Sequence, residues 1–193
     1  ATQPNQGRIV STPSISNIQF NQMSFYPAGY YTRRIPVQAT LILPAGWQAA
    51  TALRPAGGAP GVGNRITYGT VSYETLVDSP VFAGRYFRKD DLGHGAILNS
   101  VADSPGELNI PPAVLAKHRA MVDQTVKLFG SRHFDRYDFL IAVTEELGGI
   151  GLEHHRSTEI DAGLGYYTDY EKHLNDRGFT LGHAPRSIAI STV

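Results

Sequence analysis

The chain has 193 residues, with 17 Lys and Arg against 17 Asp and Glu and an isoelectric point near 7.3. Hydrophobic residues make up 41%, enough for one sizeable core or two small ones, so wholesale disorder is excluded. The balanced charge offers nothing to draw in nucleic acid or anionic lipid, and no apolar run approaches the roughly 18 residues of a membrane span. Neither nucleic acid nor membrane is expected as a partner. The absence of cysteine excludes a disulfide framework and cysteine-ligated zinc. No positive segment followed by an apolar one opens the sequence, as in a mature secreted form or a cytoplasmic protein.

Residues 1–17 are polar with two prolines and read as a loosely held arm. From there to about 104 the signals are β. IPVQATLIL (35–43) alternates, with Ile35, Val37, Ala39, Leu41 and Leu43 on one face, and ends at the turn Pro44-Ala45-Gly46. RPAGGAPGVGN (54–64) is a glycine- and proline-rich loop. ITYGTVSYE and VFAGRYFRK read as further strands, and GAILNSVAD as the return arm of a hairpin turning through DDLGHG. Short strands spaced by turns predict an antiparallel sheet or half-sandwich.

The character changes at Pro111-Pro112. PPAVLAKHRAMVDQTVKLFG predicts one helix, with proline in its first turn and Gly130 just past its end. Leu115, Val122, Val126 and Phe129 recur on one face. YDFLIAVT (137–144) is a nearly continuous apolar run, suited to a strand buried on both faces. A short helix is expected around TDYEKHLND, and RSIAISTV at the end is an edge strand or a frayed tail.

Chemistry concentrates in TEELGGIGLEHHRST (144–158). The His-Glu-x-x-His pattern of a catalytic zinc helix is absent, and adjacent His154 and His155 on a strand would point to opposite faces. Two histidines with Asp161 remain an alternative ligand set. His118 reads as a surface or boundary histidine and His94 as a turn residue. No Gly-x-Ser-x-Gly elbow marks a nucleophile, and the glycines lack the Gly-Lys-Ser/Thr ending of a phosphate loop. Glu145, Glu146 and Glu153 are candidate acid/base groups, with solvated carboxylates beside a turn as the plain alternative.

YDFLIAVTEELGGIGLEHHRST resembles the glycyl aminopeptidase family of zinc metallopeptidases, whose members carry a similar Gly-Gly-x-Gly-Leu-Glu-His stretch. FYPAGYYTRRIPVQATLILPAGWQAATAL, YETLVDSPVFAGRYF and LFGSRHFDRYDFL resemble the same family in the same order, over roughly residues 8–158. The resemblance implies an N-terminal β domain, a thermolysin-like catalytic domain and a periplasmic or secreted location, with a cytoplasmic one also compatible. It makes Gly149, Ile150, Gly151 and Leu152 a strand along the substrate cleft. Glu153, followed by His154, becomes the anchor for the free α-amino group of a peptide. A carboxylate selects an ammonium, and an open strand edge pairs with an extended peptide.

The family's zinc motif does not follow. Aligning His183 with the first ligand places Ala184 at the general-base position and Ser187 at the second ligand, with Pro185 inside the helix. No metal ligand set and no bound cofactor are therefore expected in this chain, although zinc serves the parent family. The expected fold is α+β: an antiparallel, sandwich-like part over 1–104, then the truncated start of a thermolysin-like α/β part over 105–193. The expected function is a catalytically incomplete piece of an aminopeptidase that releases N-terminal glycine or alanine. The alternatives are a non-enzymatic binding module and a hydrolase with a rearranged site using His154 or His155. A homo-oligomer is expected, because missing helices would leave YDFLIAVT and the helix at 111–129 uncovered.

Overall fold

The computed structural model describes residues 10–58, 64–131, 134–149, 151–169 and 172–173. The alternation of IPVQATLIL forms two short strands, β2 (Pro36–Val37) and β3 (Thr40–Ile42). Ile35, Val37, Ala39 and Leu41 pack on one side against Leu53, Tyr68, Tyr73 and Leu76. β3 pairs antiparallel with β5 (Arg65–Thr67), and β2 with β6 (Val71–Ser72). ITYGTVSYE is thus not one strand. Ser72 Oγ accepts the Thr75 N–H at 3.1 Å and starts the helix α2 (Tyr73–Val77). A shorter helix, α1 (Phe20–Met23), precedes these elements.

The second half of the expected arm is structured. β1 (Ile15–Ile18) pairs antiparallel with β7 (Val81–Gly84), whose other neighbour is β4 (Gln48–Ala50). The correction has a simple cause: Ile15 and Asn17 point into the protein, both about 1% exposed, and tie this polar stretch down. VFAGRYFRK is also divided. Beyond Arg85 the chain leaves β7 and enters a different sheet as β8 (Tyr86–Gly93). At the divide, a Cβ on Gly84 would sit 3.1 Å from Ser14 O and 3.2 Å from Val101, so this crossing tolerates only glycine without a shift.

The larger sheet has the order β11-β12-β10-β9-β8. β8 turns through Gly93, His94 and Gly95, all at positive φ, into β9 (Ala96–Ala102), as DDLGHG predicts. β9, β10 (Tyr137–Val143) and β12 (Ser157–Ala162) run parallel, while β11 (Gly151–Glu153) is an antiparallel edge. The class is α+β, and among the described residues no sheet closes into a barrel. This sheet takes strands from both sides of residue 104, so the expected division at 104 does not fall between sheets.

Between β9 and β10 runs the helix α3 (Pro112–Phe129), closed by Gly130 at φ 63° with its N–H on Val126 O. Its buried face differs from the expected one. Val114, His118, Val122 and Thr125 are buried, while Phe129 is 45% exposed. His118 is therefore not a surface residue; its Nδ1 donates to Val114 O at 2.9 Å, and Thr125 Oγ1 likewise donates to Met121 O at 2.8 Å. Satisfying polar atoms against the preceding turn lets these side chains share an apolar face.

β10 is buried along its whole length, as its composition predicts. Leu140 and Ala142 face Ile15, Ala50 and Phe82 of the small sheet; Phe139, Ile141 and Val143 face α3 and Tyr166–Tyr167. The chain itself thus covers YDFLIAVT, one of the two surfaces on which the homo-oligomer expectation rests, while α3 keeps Leu128 and Phe129 exposed. Further exposed large apolar side chains are Met23, Phe25, Tyr26, Tyr30, Tyr31 and Ile42. Among the described residues no helix is long and apolar enough to cross a membrane. The helix expected around TDYEKHLND falls largely, and RSIAISTV wholly, outside the described residues.

Candidate functional site

After β10 the glycine stretch first turns and then forms an edge. Gly149 adopts φ 72°, and its N–H reaches Asp161 Oδ2 at 2.9 Å, so it belongs to the turn and not to the strand. Ile150 lies outside the described residues. The edge strand comprises Gly151, Leu152 and Glu153, opposite Ile160, Glu159 and Thr158 of β12. It closes on the turn His154–Arg156, where the His154 N–H donates to Ser157 O at 2.8 Å.

That last bond sets the alternation of an antiparallel pair. His154 and Leu152 direct their main-chain groups at β12, while Gly151 and Glu153 direct theirs to the outer side of the sheet. Side chains alternate as well. Glu153 lies opposite Thr158, which is level with Phe139 on the α3 face of the sheet. Leu152 lies opposite Glu159, level with Leu140 on the face towards the small sheet. Glu153 and His154 therefore project to opposite faces, as strand periodicity requires.

His154 faces inward, with its side chain 8% exposed. Its Nδ1 lies 3.0 Å from Asp78 Oδ1 and its Nε2 lies 3.2 Å from Glu159 Oε1, while the His155 N–H donates to Asp78 Oδ2 at 3.0 Å. Glu159 is fully buried; its Oε2 accepts from Gln19 Nε2 at 2.6 Å and from Asn17 Nδ2 at 3.4 Å. Burial acts to lower the imidazole pKa, but hydrogen bonds and charge from Asp78 and Glu159 outweigh it and push it up to about 9. The ring is thus a cation donating from both nitrogens.

Sequence reasoning named His154 but missed Asp78, Glu159, Asn17 and Gln19. The usable signal was local: STEIDA places a glutamate inside a short strand that is otherwise fit for burial. His155 is exposed, and an open depression of about 970 Å³ beside it is lined by Arg33, Arg54, Glu74, Asp78 and Arg156.

The alternative ligand set does not assemble. Asp161 stands at the far end of β12 from His154, and both nitrogens of His154 already face carboxylates. Among the described residues no group of three or more His, Asp and Glu is placed to hold a metal ion, so they do not fit a zinc ion; His183 lies outside them. Glu145 Oε1 accepts the Leu164 N–H at 3.3 Å.

Asp161 is held under tension. Burial pushes its carboxyl up to about 6 against the Gly149 hydrogen bond, with the charges of Glu145 and Asp103 adding to the rise, and its Oδ1 has no hydrogen-bond partner among the described residues. Because the folded pKa lies above the unfolded one, the group costs stability as pH rises from about 4 through 6. Asp161→Asn keeps an acceptor for Gly149 and removes the charge. The melting temperature at pH 7.5 is expected to rise by about 2–4 °C, roughly 1 kcal/mol for a chain of this size, with no gain at pH 4. Differential scanning calorimetry at the two pH values checks this.

Residues 1–85 match the Peptidase M61 N-terminal domain. The chain shares its fold with an aminopeptidase N family protein from Idiomarina loihiensis at a TM-score of 0.69 and 20% identity. That match covers 92% of this chain and 30% of the Idiomarina chain, so this sequence spans under a third of its structural relative. Native yeast LTA4 hydrolase is similar at a TM-score of 0.49 and 12% identity, over 76% of this chain and 22% of its own. No curated protein matches at a significant level. The β-rich region thus resembles a peptidase N-terminal domain.

Proposed function

We propose that this chain is the peptide-binding portion of an aminopeptidase, taking an extended peptide along the edge strand Gly151–Glu153 and its free α-amino group at Glu153. The observation that carries the reading is the edge itself: a three-residue outer strand, with Gly151 and Glu153 turning main-chain groups outward, that ends in a carboxylate. Adding a peptide strand would satisfy those groups, and the missing Gly151 side chain leaves room for its backbone. The half-buried Glu153 carboxylate would then meet the terminal ammonium in a charge-assisted pair. The match to the Peptidase M61 N-terminal domain supports the class. Preference for an N-terminal glycine or alanine, zinc dependence and a periplasmic or secreted location rest on the family resemblance alone. No hydrolytic step is assigned, because the described residues do not fit the metal that would drive it.

Glu153→Gln is the test. A charged hydrogen bond contributes about 1.5–3 kcal/mol, so its loss should weaken binding of a free-amine glycyl peptide roughly 10- to 100-fold. The N-acetylated peptide, which offers no ammonium, should bind both proteins alike. Titration calorimetry of the two peptides checks this, and equal losses for both would make Glu153 a structural residue.

A further inference from the structure

The candidate edge is weakly built. Among the described residues β11 has three residues and a single neighbouring strand, so its ladder alone offers little to hold it in place. Its turn, by contrast, is tied down from two directions. Asp78, which caps the C-terminus of α2, takes both the His154 ring and the His155 N–H through its two oxygens. Glu159, in the middle of β12, takes the other ring nitrogen and is itself held by Gln19 and Asn17 from the β1 segment. Gln19 also donates to Asn17 Oδ1 at 2.9 Å, which fixes the amide orientation of the pair.

Asp78 and Glu159 therefore meet at one imidazole next to Glu153, and the β1 segment holds Glu159 in place. Asp78, and Asn17 and Gln19 that hold Glu159, lie within the residues that match the peptidase N-terminal domain; the edge strand lies outside them. We propose that His154 is a positioning residue: it fastens the edge strand Gly151–Glu153 to the β-rich N-terminal region and so fixes where Glu153 stands. The inference rests on the peptide-binding reading above for its functional consequence, though not for the fastening itself.

Both carboxylates aim at ring nitrogens, and a planar ring with donors at opposite corners spans them as a rigid strut. A side chain with one donor would reach one carboxylate and give up its hold on the other. The N-terminal region would then be coupled to peptide binding without contacting the peptide. Asp78 also lines the neighbouring depression, so its outer face is accessible while its inner oxygens are engaged.

The test uses the full chain and the variants His154→Gln, Asp78→Asn and Asp78→Glu. Amide hydrogen exchange is read at Leu152 and at position 154, whose N–H groups point at β12, with Leu140 as the reference for global opening. Exchange at the two edge amides should accelerate about 10-fold or more in His154→Gln and Asp78→Asn while Leu140 is unchanged. Affinity for the free-amine glycyl peptide should fall by roughly the same factor. Asp78→Glu, which restores the charge, should recover both. If His154→Gln does not fold, Asp78→Asn carries the test, because Asp78 is 41% exposed and its loss buries no charge fully.

Unchanged exchange at Leu152 in the folded variants, or failure of Asp78→Glu to rescue where Asp78→Asn loosens the edge, overturns the inference. The two readings fail separately. A looser edge together with peptide binding that ignores Glu153 removes the peptide-binding reading and leaves the fastening in place. Glu153-dependent binding that survives intact in His154→Gln, with exchange at Leu152 unchanged, removes the fastening and leaves the binding reading.

Discussion

Glu159→Ala is expected to destabilise the fold by about 3–5 kcal/mol, among the largest effects of any single polar substitution in this chain. The Glu159 side chain is fully buried, and its two oxygens are the acceptors for His154 Nε2, Gln19 Nε2 and Asn17 Nδ2. Truncation leaves buried donors without an acceptor and an imidazolium with one carboxylate in place of two. The cost should be strongly pH-dependent. In the wild type the His154 pKa lies at about 9, above its unfolded value of 6.5, so its stabilisation is fully present below pH 6.5 and is lost as pH rises through 9. On this basis the wild type should lose on the order of 3 kcal/mol between pH 6 and pH 9.5, and Glu159→Ala distinctly less. Urea unfolding at both pH values measures all four quantities. A wild-type stability that is flat over that interval would mean that folding does not raise the His154 pKa.

Leu140→Ala should cost about 3–5 kcal/mol, a large share of the ~5–15 kcal/mol that holds a typical domain together. Leu140 sits without exposure in the central strand β10 and packs with Ile15, Phe82 and Val101, where the small sheet meets the large one. Removing its side chain opens a cavity between two rigid layers that cannot easily collapse. The melting temperature should fall by about 6–20 °C. Leu128→Ala is the control: with 75% exposure at the outer face of α3, it should change stability by no more than about 0.5 kcal/mol. Both are read by thermal unfolding followed by circular dichroism.

The two layers flanking Leu140 were unequally legible in the sequence. YDFLIAVT announces a doubly buried strand because a parallel strand covered on both faces needs no polar alternation. α3 announces itself by proline at its start and glycine beyond its end, and the β8–β9 hairpin by Gly93-His94-Gly95. What the sequence does not display is which strands pair. β8 and β9 precede residue 104 yet belong with β10, because sheet membership is decided by contacts between distant segments. α2 escaped notice because Tyr73, Thr75 and Val77 favour strands, and only the Ser72 cap and tertiary packing make them helical.

The candidate site divides along the same line. Gly151 to Glu153 are consecutive residues, so a family resemblance over this stretch was enough to expect an edge strand there, although the residues alone read equally as a turn with solvated carboxylates. The boundary could not be read: Gly149, grouped with the strand on sequence, is spent on a left-handed turn. His154, grouped with Glu153 by adjacency, faces the other way because strand side chains alternate. The groups that hold it, Asp78 and Glu159, are 76 and 5 residues away, and Asn17 is 142 residues from Glu159. Polar side chains at such separations leave no periodic trace, and only the folded chain brings them together.

The most direct test of the central claim is to locate a bound peptide. A glycyl peptide with a free N-terminus, titrated into the isotope-labelled chain, should shift the amide resonances of Gly151 and Glu153 and give intermolecular Overhauser contacts from the peptide backbone to both. The peptide's first Cα protons should lie nearest the Glu153 side chain. Contacts confined to the depression around Arg33, Arg54 and Arg156, with Gly151 and Glu153 undisturbed, would contradict the account.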